Sequence, residues 1–197
     1  MELLLNATSP YARVCRICAI ERGLAGRLRL RWVDPWADDS ALLAVNPAGR
    51  VPALITDDGQ GLAEALLIAL HFNAHGTGPD LFPADDGSAL ARAGIGIGLM
   101  DAAFATVIAR KHQGSESDRG LLGARRHRAI RRCLERLAVD TGEAGDKIDI
   151  GTLTVAVALD YLAFRLPEYP LADLQPNLGR WRARIAERPS FQETAFS

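Results

Sequence analysis

Apolar and polar positions follow two different rhythms along this chain. Up to Gly76, short apolar runs alternate with helical periodicities. Residues 2–5 form an apolar run that stops at Asn6 and reads as a strand. Val14, Ile17 and Cys18 then recur at helical spacing, which predicts a helix from Pro10 to about Gly23. Ser9 is a residue type that caps helices, and Pro10 suits a first helical position. Leu28, Leu30 and Trp32 alternate with Arg27, Arg29 and Arg31, the mark of a half-buried strand. A short helix is expected over 38–44, two further strands on either side of the Asp58-Gly59 turn, and a helix over 64–74.

Turn-forming residues cluster over 76–80 and 83–87, and after them no strand pattern returns. Helical periodicity predicts helices over 88–113, 118–140, 149–166 and 173–187. Pro167, Pro170 and Pro189 end or separate helices, while Pro176 falls in the first turn of the last one. The chain therefore divides into an α/β region, 1–77, and an all-helical region, 86–197.

One stretch carries the most chemical information: Asn46-Pro47-Ala48-Gly49-Arg50-Val51-Pro52-Ala53-Leu54, followed by a helix start at Glu64-Ala65. Proline lacks a backbone donor and is tolerated where a strand begins. A cis bond before Pro52 would leave the N–H and C=O of Val51 free to pair with an extended, peptide-like ligand. The helix start at Glu64 adds orphan N–H groups and the positive end of a helix dipole, which suit a carboxylate.

This stretch resembles the glutathione S-transferase family, whose pattern is Asn-Pro-x-Gly-Lys/Arg-Val-Pro-x-Leu followed by Glu/Gln-Ser. Residues 46–54 and Glu64 fit, and Ala65 departs from the usual Ser. The resemblance extends to Asp149 as a helix cap, with Ile148 and Leu153 as a staple, although Thr152 stands where the family usually has Asp and predicts a weaker reciprocal half of the capping box. It also covers 177–181 and the turn Arg188-Pro189-Ser190-Phe191. It implies a thioredoxin-like domain followed by a helical bundle domain. It also implies a cytoplasmic, homodimeric glutathione transferase of detoxification type, in which the thiolate of glutathione attacks a small hydrophobic electrophile. The family places glutathione along Arg50, Val51, Pro52, Glu64 and Ala65, and the electrophile near Tyr11, Met100 and Phe104. Loss of the hydroxyl at Ala65 costs roughly 0.5–1.5 kcal/mol of ligand affinity. Two alternatives share the scaffold: a non-catalytic glutathione-binding protein, and a glutathione-dependent isomerase, dehalogenase or lyase.

Ser9 is the candidate catalytic residue, with Thr8 as the adjacent hydroxyl. Ser9-Pro10-Tyr11-Ala12 reads as a redox Cys-Pro-Tyr-Cys motif with both cysteines replaced, so disulfide exchange at this place is lost. A hydroxyl at a helix N-terminus can still donate to a ligand's sulfur and lower its pKa, or it can act as a helix cap alone. Cys15 and Cys18 form a C-x-x-C in the second helical turn rather than at the helix start, and read as structural, as does Cys133.

Composition narrows the remaining choices. A formal net charge of -1 gives no global field for nucleic acid or an anionic membrane. The arginine-rich run 125–136 is interleaved with Ile130, Cys133, Leu134 and Leu137 and reads as a solvated helix face. An odd cysteine count of 3 argues for a reducing compartment. The first residues are too short for a signal peptide, and no apolar stretch is expected to reach membrane-spanning length. Gly94, Gly96 and Gly98 do not follow a strand with phosphate-loop spacing and read as close-packing positions. No metal is expected: His71 and His75 share a helix face without a third ligand.

Overall fold

The computed structural model describes residues 1–84, 87–145 and 147–196. The chain forms two compact units, 1–82 together with 189–197, and 83–188. The tail thus belongs to the first unit, whereas the sequence pattern assigned it to the helical region. Asp86 and Ser197, the ends of that expected region, lie outside the described residues.

The first unit is built on a four-stranded sheet of order β2-β1-β3-β4. Its strands are β1 (Glu2–Leu5), β2 (Arg29–Trp32), β3 (Ala53–Ile55) and β4 (Gly61–Ala63). β1 pairs parallel with β2 and antiparallel with β3, and β3 pairs antiparallel with β4. The parallel pair needs a crossover, and α1 (Pro10–Glu21) supplies it. Leu3, Leu4 and Leu5 are all fully buried, so β1 is covered on both faces. Leu4 and Ala53 pack with Leu42 of α2 (Ser40–Val45). α3 (Ala65–His75) packs on α1.

Three local expectations shift. β2 is exposed at all four residues, not half-buried, and a single-turn 3-10 helix, Ala25–Arg27, precedes it. An edge strand has a neighbour on one side only, and the alternation in its sequence does not guarantee a covering layer. The short helix expected over 38–44 runs from Ser40 to Val45 and is capped by Asp39, which accepts from the N–H groups of Ala41 and Leu42. Glu64 is the cap of α3, not its first residue, and accepts from Leu66 N at 3.1 Å.

The end of α3 is locked to the end of α1. The Arg22 guanidinium donates to the carbonyls of Asn73 (2.8 Å), Gly76 (2.6 Å) and Gly78, and so satisfies orphan acceptors at a helix C-terminus. A Cβ on Gly78 would collide with the carbonyl oxygen of Glu21, so only glycine permits that approach.

The second unit is helical throughout its described residues: α4 (Gly87–Gln113), α5 (Leu121–Ala144), α6 (Ile150–Arg165), α7 (Leu171–Leu174) and α8 (Pro176–Ala186). α6 is almost wholly buried. Its cap is complete in both directions: Thr152 N donates to Asp149 Oδ1 at 2.9 Å, and Asp149 N donates to Thr152 Oγ1 at 3.0 Å. A threonine hydroxyl can serve as the reciprocal acceptor that Asp provides elsewhere, so the weaker box expected from Thr152 is corrected. The buried Asp149 carboxylate is also paired with Arg92 of α4 at 3.0 Å.

The helix expected over 173–187 is broken. Gln175 leaves the helical region (φ -146°, ψ 76°) before Pro176, which disfavours a helical conformation in the residue ahead of it, and α7 and α8 meet there. The helix expected from residue 118 starts at Leu121, after a 3-10 turn over Ser115–Asp118. Contrary to the expectation of no membrane-length apolar stretch, α4 is long and apolar enough by length and composition alone. Part of it packs on α6, with Gly96 against Thr154.

Candidate functional site

Strand register gathers three chain segments at one end of the sheet. Leu4 pairs with Ala53 and Ala53 with Ala63. The exit of β1 toward Ser9, the entry of β3 from Val51-Pro52, and the exit of β4 toward Glu64-Ala65 therefore share that end. The start of α1 and the start of α3 lie there with the Val51 loop. This is the juxtaposition that the motif residues pointed to.

Ser9 is the N-cap of α1, and its Oγ accepts from Ala12 N at 3.2 Å. That bond uses an oxygen lone pair. Among the described residues the hydroxyl proton of Ser9 has no acceptor, and it remains available for donation. The first turn of α1 carries no acidic side chain, so nothing there offsets the positive end of its dipole.

The peptide bond Val51-Pro52 is cis. Among the described residues, no hydrogen bond engages the main-chain N–H or C=O of Val51. Asn46 braces the loop that precedes it: its side chain donates to Arg50 O at 2.8 Å and accepts from Ala48 N at 3.1 Å. This bracing role was not read from the sequence. The signal was present, since Asn followed by Pro and Gly is the composition of a side-chain-stabilised turn.

Glu64 sits at φ 80°, a region a non-glycine residue occupies at a cost of order 1–3 kcal/mol. It is exposed, as is Arg50 beside the loop. Ala65 is buried, and its carbonyl accepts from Cys15 Sγ at 3.5 Å, which ties the start of α3 to α1. Burial pushes the Cys15 thiol up, with Cys18 and Glu64 adding to it, and burial raises Cys18 to about 12. Neither is poised to ionise, in keeping with a structural reading of both. Tyr11 is buried in α1, while Met100 is fully buried and Phe104 half-buried in α4.

His75 Nδ1 lies 2.8 Å from the carbonyl of His71, and the two rings are 4.2 Å apart. Among the described residues no group of three or more His, Cys, Asp or Glu side chains is placed to hold a metal. Along α5, Ile130, Leu134 and Leu137 are buried while Arg125, Arg128, Arg131 and Arg132 face outward to differing degrees, the division expected of a solvated amphipathic helix.

Comparison with known proteins agrees with this geometry. Residues 8–75 match the family description of the glutathione S-transferase N-terminal domain. A glutathione transferase family member from Pseudomonas fluorescens Pf-5, solved with bound glutathione, is 30% identical, covers 100% of this chain and 98% of its own, and superposes with a TM-score of 0.91. A glutathione S-transferase from Methylobacterium radiotolerans, solved with glutathione sulfonate, is 29% identical over 100% of this chain and 95% of its own, with a TM-score of 0.88. YibF, an uncharacterized GST-like protein of Escherichia coli K12, is 26% identical over 98% of both chains. The fold is that of a thioredoxin-like unit joined to a helical one. The chain belongs to the glutathione S-transferase family.

Proposed function

We propose that this protein is a glutathione transferase that activates the glutathione thiol through Ser9. The supporting observation is the Ser9 hydroxyl itself: it caps α1 through a lone pair while its proton has no acceptor among the described residues. In this reading glutathione lies along the unpaired main chain of Val51, between Pro52, Arg50 and the α3 start. Glu64 accepts from its ammonium, and the N–H of Ala65 meets its carboxylate. The relatives solved with glutathione and glutathione sulfonate support that ligand. The thiol proton leaves to solvent, Ser9 Oγ–H donates to the resulting sulfur anion, and the dipole of α1 stabilises the thiolate. The thiolate then attacks an electrophilic carbon. A carbon–sulfur bond forms, and the electron pair leaves with the departing group.

Ultraviolet titration of bound glutathione in the wild type and in Ser9→Ala tests the reading. A free thiol ionises near pH 8.5. The wild type is expected to bring the bound thiol down by one unit or more, and Ser9→Ala to return most of that shift. Failure to bind immobilised glutathione, with no conjugation of any electrophile in a panel, refutes the proposal. Binding with an unshifted thiol favours the non-catalytic alternative, for which the missing hydroxyl at Ala65 speaks. We also propose a cytoplasmic homodimer. Leu67 and Leu70 expose apolar surface on α3 that a second copy can cover, and light scattering reads the mass directly.

A further inference from the structure

We propose that the C-terminal segment 189–196 sets the position of Ser9, and that Arg13 is the positioning residue through which it acts. The inference rests on the thiol-activating reading above and extends it to the far end of the chain. Arg13 lies one turn into α1, and its backbone N–H donates to Ser9 O at 3.1 Å, the first closed turn of that helix. Its side chain is buried and donates to the tail. Nε donates to Thr194 Oγ1 at 3.3 Å, and Nη2 donates to the Phe191 carbonyl at 3.2 Å. The guanidinium carbon also lies 5.4 Å from the ring centre of Phe191 and 4.6 Å from that of Phe196.

The tail continues along the helix. Arg16 Nη2 donates to Glu193 O at 3.1 Å, and Ser190 Oγ donates to Glu21 Oε1 at 2.5 Å. α1 (Pro10–Glu21) is therefore held at three points along its length by a short helix, α9 (Pro189–Gln192), and the residues after it. The Thr194 hydroxyl is itself fixed, donating to Ser190 O at 2.7 Å, so the acceptor presented to Arg13 is rigid. α3 packs against α1, and the strap adds a second set of contacts that fixes where the helix sits. Donation from Ser9 to a sulfur needs placement within tenths of an ångström, and a misplacement of about 1 Å can cost ~100-fold in rate. Residues that touch no ligand thereby govern the thiol.

The test compares the wild type with Arg13→Met and with Thr194→Val, which removes the tail-side acceptor at little change in volume. Two readouts separate positioning from folding. The first is the pH titration of the bound glutathione thiol. The second is the affinity for S-methylglutathione, whose sulfur cannot ionise and which reports on the main-chain cradle alone. The expected result is a rise of about one pKa unit in the bound thiol, a tenfold loss of thiolate below it, with S-methylglutathione affinity within twofold. Thr194→Val is expected to show the same change in smaller degree. If Arg13→Met does not fold, Thr194→Val decides the matter alone. A folded variant whose bound thiol titrates as in the wild type overturns the strap while leaving the role of Ser9 standing. A wild type that does not shift the thiol overturns both.

Discussion

Three glycines two residues apart on α4, Gly94, Gly96 and Gly98, make an internally controlled experiment. A Cβ placed on Gly96 would lie 2.9 Å from the carbonyl carbon of Thr154, 2.9 Å from Val155 N and 3.0 Å from Thr154 Oγ1. Two of those three are backbone atoms of α6. The third is bound to the carbonyls of Ile150 (2.8 Å) and Gly151 (3.1 Å) and cannot swing aside without giving up hydrogen bonds. The helices must therefore separate by roughly half an ångström to restore ordinary contact, since close-packed interiors leave no slack. Overpacking of this kind costs about 1–3 kcal/mol. A Cβ on Gly94 or Gly98 meets nothing within 4 Å. All three substitutions gain the helix preference of alanine over glycine, about 1 kcal/mol. Gly94→Ala and Gly98→Ala are thus expected to stabilise by ~0.5–1 kcal/mol. Gly96→Ala should fall about 1–3 kcal/mol below them, because the shared propensity gain cancels in the difference. Urea unfolding followed by far-ultraviolet circular dichroism measures this at equal protein concentration. Hydrogen exchange of α4 and α6 amides locates the loss. With a slope of about 1–3 kcal/mol/M, the midpoints should differ by roughly 1 M. A Gly96→Ala protein as stable as Gly94→Ala would refute the close-approach argument.

Two other outcomes follow from the titrating groups. Burial holds the Cys15 and Cys18 thiols above the usual range, so iodoacetamide at pH 8 should reach the half-buried Cys133 first and the other two only on opening of the first unit. Rapid native-state labelling of Cys15 would contradict this. Asp118 is held below the ordinary carboxylate range: desolvation pushes it up, but the hydrogen bond from Arg110 and the His127 ring 3.3 Å away outweigh that. Its lowered folded pKa means that its contribution is complete above the unfolded value of about 3.9 and is lost as pH falls through the folded one. The stability gap between the wild type and Asp118→Asn should therefore hold its full width above about pH 5 and narrow as the pH falls below about 4; a gap that widens on acidification would reverse the sign.

What could be read in advance was what the local backbone decides. Ser9 before Pro10 specifies a capped helix start wherever it occurs, and residues 46–54 specify a turn running into a strand. The alternation of 28–32 points to the strand but not its exposure, because exposure depends on whether a neighbouring layer exists. Gly94, Gly96 and Gly98 are equivalent by spacing, yet only Gly96 faces Thr154, a distinction set by the rotation of α4 against α6. Residue type alone misjudges Thr152, whereas the reciprocal hydrogen bond depends on the angle at which the chain enters α6. Arg13 is the extreme case. Its partners Phe191 and Thr194 are 178 and 181 residues away, and on a helical wheel it is one arginine among several. Nothing short of the tertiary pairing marks it out from Arg16 or Arg22. Catalytic contacts can be inferred where the chain itself bends to make them, but the groups that hold those contacts in place come from elsewhere in the sequence. Mutational surveys confined to the motif residues of such a protein would therefore miss the buried arginine on which, by the present reading, the placement of Ser9 depends.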